Sequence, residues 1–190
     1  SHLMDGEFLG GRDLDRCLEL KPDYGWAYAE KADIYTPQRK LEPALLACNR
    51  LIALNANQGW AYAIRGRAWG KCGRTREALA DLDKGVRLGP VMGSMLAWRG
   101  EAHRQMRNFD LALADFDAAV VLDPSYPLTY MWRGAALLAK GRIAEAVVDL
   151  SRSIRLDPRN LLAHAWRAEA FLKQGRFEEC LRDLDEFHPS

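Results

Sequence analysis

Four things are scarce in this 190-residue chain, and each scarcity closes off a class of function. No apolar run approaches the roughly 18 residues needed to cross a bilayer, so membrane insertion is not expected. Net charge is only +1, which argues against nucleic acid, where a basic surface supplies most of the attraction. The four cysteines, Cys17, Cys48, Cys72 and Cys180, contain no Cys-x-x-Cys pair and have no histidine close by in sequence. A disulfide framework and a zinc site are therefore unexpected, and the thiols suit a reducing, cytoplasmic compartment.

Catalytic patterns are missing too. Gly66 to Cys72 imitates a phosphate loop but has three residues between its glycines, not four, and lacks the Ser or Thr that would hold magnesium. His103 and His164 stand in positions that elsewhere along the chain hold Leu, Tyr, Trp or Phe, which reads as packing rather than ligation. No Ser-His-Asp or Cys-His spacing can be proposed. This stretch is expected to be non-catalytic, with no cofactor and no metal.

What the chain does have is a period. Leu20, Leu54, Leu88, Leu122 and Leu156, most followed at the second position by Pro, fall 34 residues apart without insertion. The same offset gives a small column, Ala32, Gly66, Gly100, Gly134 and Ala168, and another, Ala44, Ala78, Ala112, Ala146 and Cys180. Periods of this length mark stacked repeat architectures. Within a unit, Tyr130, Gly134 and Leu137 recur at helical spacing, as do Ala146, Val147, Leu150 and Ile154, with Gly141 placed to end the first helix and Pro158 to close the second. No segment alternates like a strand, so the fold class is all-α. Glycine in a helix costs about 1 kcal/mol relative to alanine, so its recurrence implies close approach of two helices that must stack on neighbours to bury their faces.

Units are placed at 25–58, 59–92, 93–126, 127–160 and a shortened 161–190. A second-helix remnant precedes them within 5–24, and residues 1–4 read as the remnant of an expression tag, which would make the chain an excised piece of something longer. The 25–58 unit departs from the pattern. Pro37 should end its first helix early, Arg39 stands where the inter-helix glycine belongs, and Pro43 fits only in the first turn of the second helix.

One charged pattern shares the period. Arg65, Arg99, Arg133 and Arg167 (Lys31 in the first unit) precede the small column, while Asp81, Asp115, Asp149 and Asp183 share a column on the second helix, where the first unit has Ala47. These are expected to form structural ion pairs within or between units. Lys31, lacking an aspartate of its own, is assigned Asp13. The other reading is a basic stripe for an acidic ligand.

The 34-residue units, the aromatic, small and Leu-Asp-Pro columns, and above all residues 127–160, resemble the tetratricopeptide repeat family, over nearly the whole chain. The resemblance implies a right-handed superhelical solenoid of antiparallel helix pairs whose first helices line a concave surface where partner polypeptides lie. On a helical wheel the columns opposite Tyr62, Gly66 and Trp69 then become the partner-binding candidates: Trp60, Ile64 and Arg67; Trp98 and Glu101; Leu128, Met131 and Trp132; Leu162, Trp166 and Glu169. Trp98, Trp132 and Trp166 have two readings, as groove contacts or as packing between neighbouring first helices, and one indole can serve both. The family's clamp for a chaperone C-terminal carboxylate needs cations that no register here supplies; in the first three full units those columns hold Ala29, Asp33, Ile64, Ser94 and Trp98. The expected function is a protein-interaction scaffold binding a peptide or helix with apolar anchors. The alternatives are a non-catalytic arm of a larger enzyme and a self-association module, that is, a homo-oligomer.

Overall fold

The computed structural model describes residues 11–185, with side chains from residue 13 onward. Those residues form eleven α-helices and no strand: α1 (Gly11–Leu20), α2 (Gly25–Tyr35), α3 (Leu41–Leu54), α4 (Gly59–Lys71), α5 (Thr75–Leu88), α6 (Gly93–Gln105), α7 (Phe109–Leu122), α8 (Pro127–Ala139), α9 (Ile143–Leu156), α10 (Leu161–Lys173) and α11 (Phe177–Asp185). The chain divides into two compact units at Pro90, one holding α1 to α5 and the other α6 to α11. The proposed tag at 1–4 lies outside the described residues, as do 5–10 of the helix remnant and the last five residues of the 161–190 repeat.

Within each unit the helices alternate between two layers. In the first unit α2 packs on α3, α3 on α4 and α4 on α5, and α2 also touches α4. In the second, α8 touches α6, α7, α9 and α10, so this first helix is hemmed in on several sides, whereas among the described residues α6 touches only α7 and α8. α2 stops at Tyr35, two residues ahead of Pro37, while Thr36 keeps helical dihedrals (φ −60°, ψ −48°) and its N–H still donates to the Ala32 carbonyl. Pro43 is the third residue of α3, inside the first turn where its missing N–H is not needed.

The glycine column has a side-chain explanation as well as a backbone one. A Cβ on Gly66 would lie 2.7 Å from Leu82, on Gly100 2.7 Å from Phe116, and on Gly134 2.7 Å from Leu150. Leu82, Phe116 and Leu150 are all buried. Where the column holds Ala32 instead, its partner on the second helix shrinks to Cys48, and these two form a cluster with Ala47. Burial pushes the Cys48 thiol up to about 12, so it stays protonated and inert. Backbone approach is tightest in the first unit, where a Cβ on Gly59 would meet the carbonyl oxygens of Gly85 and Gly89 at 2.3 and 2.8 Å.

The turn between the two helices of a repeat passes through the left-handed region at Arg39, Gly73, Arg107, Gly141 and Gly175, with φ from 56° to 78°. Two of these five positions carry arginine, and L-residues pay about 1–2 kcal/mol for that conformation. Glycine gives some of this back through its freer unfolded chain. Arg107→Gly and Arg39→Gly are therefore each expected to stabilise by about 0.5–1 kcal/mol. The check is a higher denaturant midpoint at unchanged slope; a lower midpoint would show that the arginine side chain outweighs the strain.

Candidate functional site

The arginine column lies between two second helices. Arg65 donates to Asp81 from Nε and Nη2, both at 2.7 Å. Arg99 does the same to Asp115 at 2.9 and 2.6 Å. Arg133 donates to Asp149 at 2.7 and 2.8 Å, and Arg167 to Asp183 at 2.7 and 2.5 Å. Each pair spans 16 residues within a repeat. The remaining Nη1 reaches 16 residues the other way, to the second helix of the preceding repeat: Arg65 to Asn49 at 2.7 Å, Arg133 to Asp117 at 2.9 Å, Arg167 to Ser151 at 3.1 Å. Lys31 follows the same backward rule and donates to Asp15 at 2.5 Å, two residues along α1 from Asp13. Hydrogen bonding to Asp149 pushes the Arg133 guanidinium above its ordinary value. With both carboxylate oxygens of the partner occupied, this column is tied up in structure.

His164 stands where Tyr28, Tyr62 and Tyr130 stand in other repeats, and it copies their contact. The Tyr28 and Tyr130 hydroxyls donate to the carbonyls of Pro22 and Pro124, at 3.1 and 3.0 Å, and His164 Nε2 lies 3.2 Å from the Pro158 carbonyl. Its Nδ1 is 3.0 Å from Asp183, in a buried position. His103 is partly buried, with Nε2 4.0 Å from Asp115. Among the described residues no group of His, Cys, Asp and Glu is arranged to hold a metal ion.

The wheel places Met131 and Trp132 on the open side of α8. They are 4% and 7% exposed instead. The cause is crowding: α8 is packed by α6, α7, α9 and α10, and its buried residues run almost continuously from Thr129 to Leu138. Asn160 Nδ2 closes over Met131 at 3.2 Å from its sulfur. Trp132 is a core residue of the second unit, not a contact offered to solvent.

The flanking first helices are less enclosed. Trp98 is half-buried and its Nε1 donates to the Tyr126 hydroxyl at 3.2 Å, while Leu128 is also half-buried. On α10, Leu161 and Leu162 are each 47% exposed, and the half-buried Trp166 carries the Arg104 guanidinium over its ring at 5.3 Å. A pocket of about 350 Å³ opens beside it, lined among others by Ala135, Leu138, Trp166, Glu169 and Lys173. Its charges are internally matched: Arg104 donates to both oxygens of Glu101 at 2.6 and 2.9 Å, and Lys173 pairs with Glu169 at 3.3 Å. In the first unit, Trp60 and Ile64 are half-buried against Ala29, Leu51 and Ala61, and Arg67 pairs with Asp33 of the preceding repeat.

Sequence reasoning allowed pairs between units but named only a backward partner for Lys31, and it missed the tyrosine–carbonyl anchor that His164 copies and the left-handed Arg107. Arg107 carried a signal, since it shares the column of Gly73 and Gly141, whereas Asn49, Asp117 and Ser151 share a column but not a chemistry.

Paired helices at a fixed repeat, cross-linked by side chains at that same repeat, define an all-α helical-repeat protein. Family models agree: one described as TPR repeat matches residues 136–175, and one described as tetratricopeptide repeat matches 65–127 and 100–150. Together they span 65–175, more than half of the 190 residues, and the chain belongs to the tetratricopeptide repeat family. Such repeats are protein–protein interaction scaffolds, and this chain carries that scaffold. No curated protein matches it. Among solved structures it is similar to YrrB, described as a TPR protein with an unusual peptide-binding site, at 20% identity and a TM-score of 0.63, covering 93% of this chain and 91% of that one. It is also similar to Cut9–Hcn1 of the APC/C (17%, TM-score 0.88, 93% and 35%) and to a human IFIT1 dimer with PPP-AAAA (15%, TM-score 0.79, 93% and 44%). The chain thus spans less than half the length of the last two, and at these identities the likeness is one of fold. No helix among the described residues is long and apolar enough to cross a membrane.

Proposed function

We propose that the second unit binds a peptide or helix through bulky apolar anchors laid on the first-helix face formed by Trp98, Leu128, Leu162 and Trp166, with Glu101 and Glu169 at its margin. Met131 and Trp132 support that face from beneath. Trp60, Ile64 and Arg67 are the corresponding residues of the first unit. The observation that carries the reading is on α10, where Leu162, at 47% exposed, stands one turn from Trp166. Large apolar side chains left in water side by side mark interaction surfaces, and tryptophan is enriched among the residues that dominate binding. Because Arg104 and Lys173 are already paired, a charged ligand would find no spare cation there. The solved relative YrrB, whose description includes a peptide-binding site, supports a peptide as the class of partner.

Selection from a displayed random-peptide library tests this. Selected peptides should share bulky apolar residues, and a Leu162→Asp, Trp166→Ala double variant should bind them at least ~10-fold more weakly with an unchanged helical signal, as expected for hot-spot positions. Peptides rich in acidic residues, or binding untouched by the double variant, would sink the proposal.

A further inference from the structure

The first full repeat lacks the carboxylate that every other described repeat supplies to its first-helix cation. Asp81, Asp115, Asp149 and Asp183 each grip an arginine, whereas α3 presents Ala47 at that position. Lys31 is left with the backward partner alone, Asp15, which is itself 58% exposed. Where the aspartate would stand, a cleft of about 630 Å³ opens between α2 and α3. At the matching position in the second unit, where Arg133 and Asp149 line the space, the volume is about 320 Å³.

The lining of the larger cleft is mixed. Tyr28, Tyr35, Pro43 and the 64%-exposed Leu46 give it aromatic and apolar walls. Lys31 and Arg50 both line it, and Arg50 has no ion-pair partner among the described residues. Glu42 lines it too, eight residues before Arg50 along α3 and so about 12 Å from it at the helical rise. Lys31 has three donors, of which Asp15 takes one. The volume lies within the ordinary range for small-molecule sites, and apolar walls with a few placed polar groups are their ordinary construction.

We propose that this cleft binds a small carboxylic acid carrying an aromatic ring, its carboxylate seated between Lys31 and Arg50 in the place other repeats give to an aspartate, and its ring between the tyrosines and Leu46. The site is built from α2 and α3 of the first unit, whereas the peptide proposal concerns residues of the second, and the two stand or fall independently.

Ligand-observed NMR and calorimetry with 3-phenylpropionate and its neutral amide provide the test. The acid should bind saturably and the amide at least ~10-fold more weakly, the cost of one charge-assisted contact pair. Ala47→Asp puts the repeat's own carboxylate beside Lys31 and should cut binding of the acid at least ~10-fold while the melting temperature holds or rises. Equal binding of acid and amide, binding that does not saturate, or full binding by a folded Ala47→Asp variant would each overturn the proposal. Should Ala47→Asp lose its helical signal, Arg50→Gln, an exposed helix position, decides: a severalfold loss of affinity for the acid alone supports the site, and no change refutes it.

Discussion

Replacing Trp132 by alanine is expected to destabilise the second unit by about 3–5 kcal/mol, the range for deleting a buried tryptophan. The indole is 7% exposed in a helix that four others enclose, so its removal leaves a cavity that rigid neighbours cannot all collapse into. Trp166→Ala should cost less than half as much, because that ring is only half-buried, lines an open pocket and carries the Arg104 guanidinium over it. Chemical denaturation of both variants separates the roles. A Trp132→Ala protein that unfolds with wild-type stability but no longer binds peptide would return the indole to the groove.

Asp149→Ala is expected to cost about 2–4 kcal/mol, since removing one partner of a buried pair strands the other. The carboxylate side chain is 8% exposed and accepts two hydrogen bonds from Arg133, whose remaining partner Asp117 is 68% exposed and a poor substitute. Arg133 is 20% exposed, which holds the figure below that of a fully enclosed pair. Removing both charges with shape-matched apolar residues, Asp149→Leu with Arg133→Met, should recover most of the loss, because the pair's desolvation cost disappears with it. A double variant no more stable than Asp149→Ala would mean that the bridge to Asp117 carries more than its exposure suggests.

The repeat made the fold legible. One helix pair read once is ambiguous, but five aligned copies turn Gly66, Gly100 and Gly134 from an oddity into a packing rule, and give Arg133 and Asp149 a common register before any coordinate is known. The groove was harder to read, for a definable reason. A wheel treats a helix as a cylinder with one wet side, which serves α10, where Leu162 is open, and fails on α8, which four helices enclose and where Trp132 is buried. Columns of mixed chemistry were equally opaque. Asn49, Asp117 and Ser151 accept from the same guanidinium nitrogen, yet nothing in an amide, a carboxylate and a hydroxyl announces a shared task.

α7 and α9 do not pack directly on one another; Arg133 reaches Asp117 on one and Asp149 on the other. The two rods are joined by a crossbar rather than by a glued seam. Both rods also pack on α8, so the guanidinium adds a polar tie to a spacing that the shared helix already sets. Raised salt should weaken the exposed arm to Asp117 while leaving the enclosed arm to Asp149 largely intact.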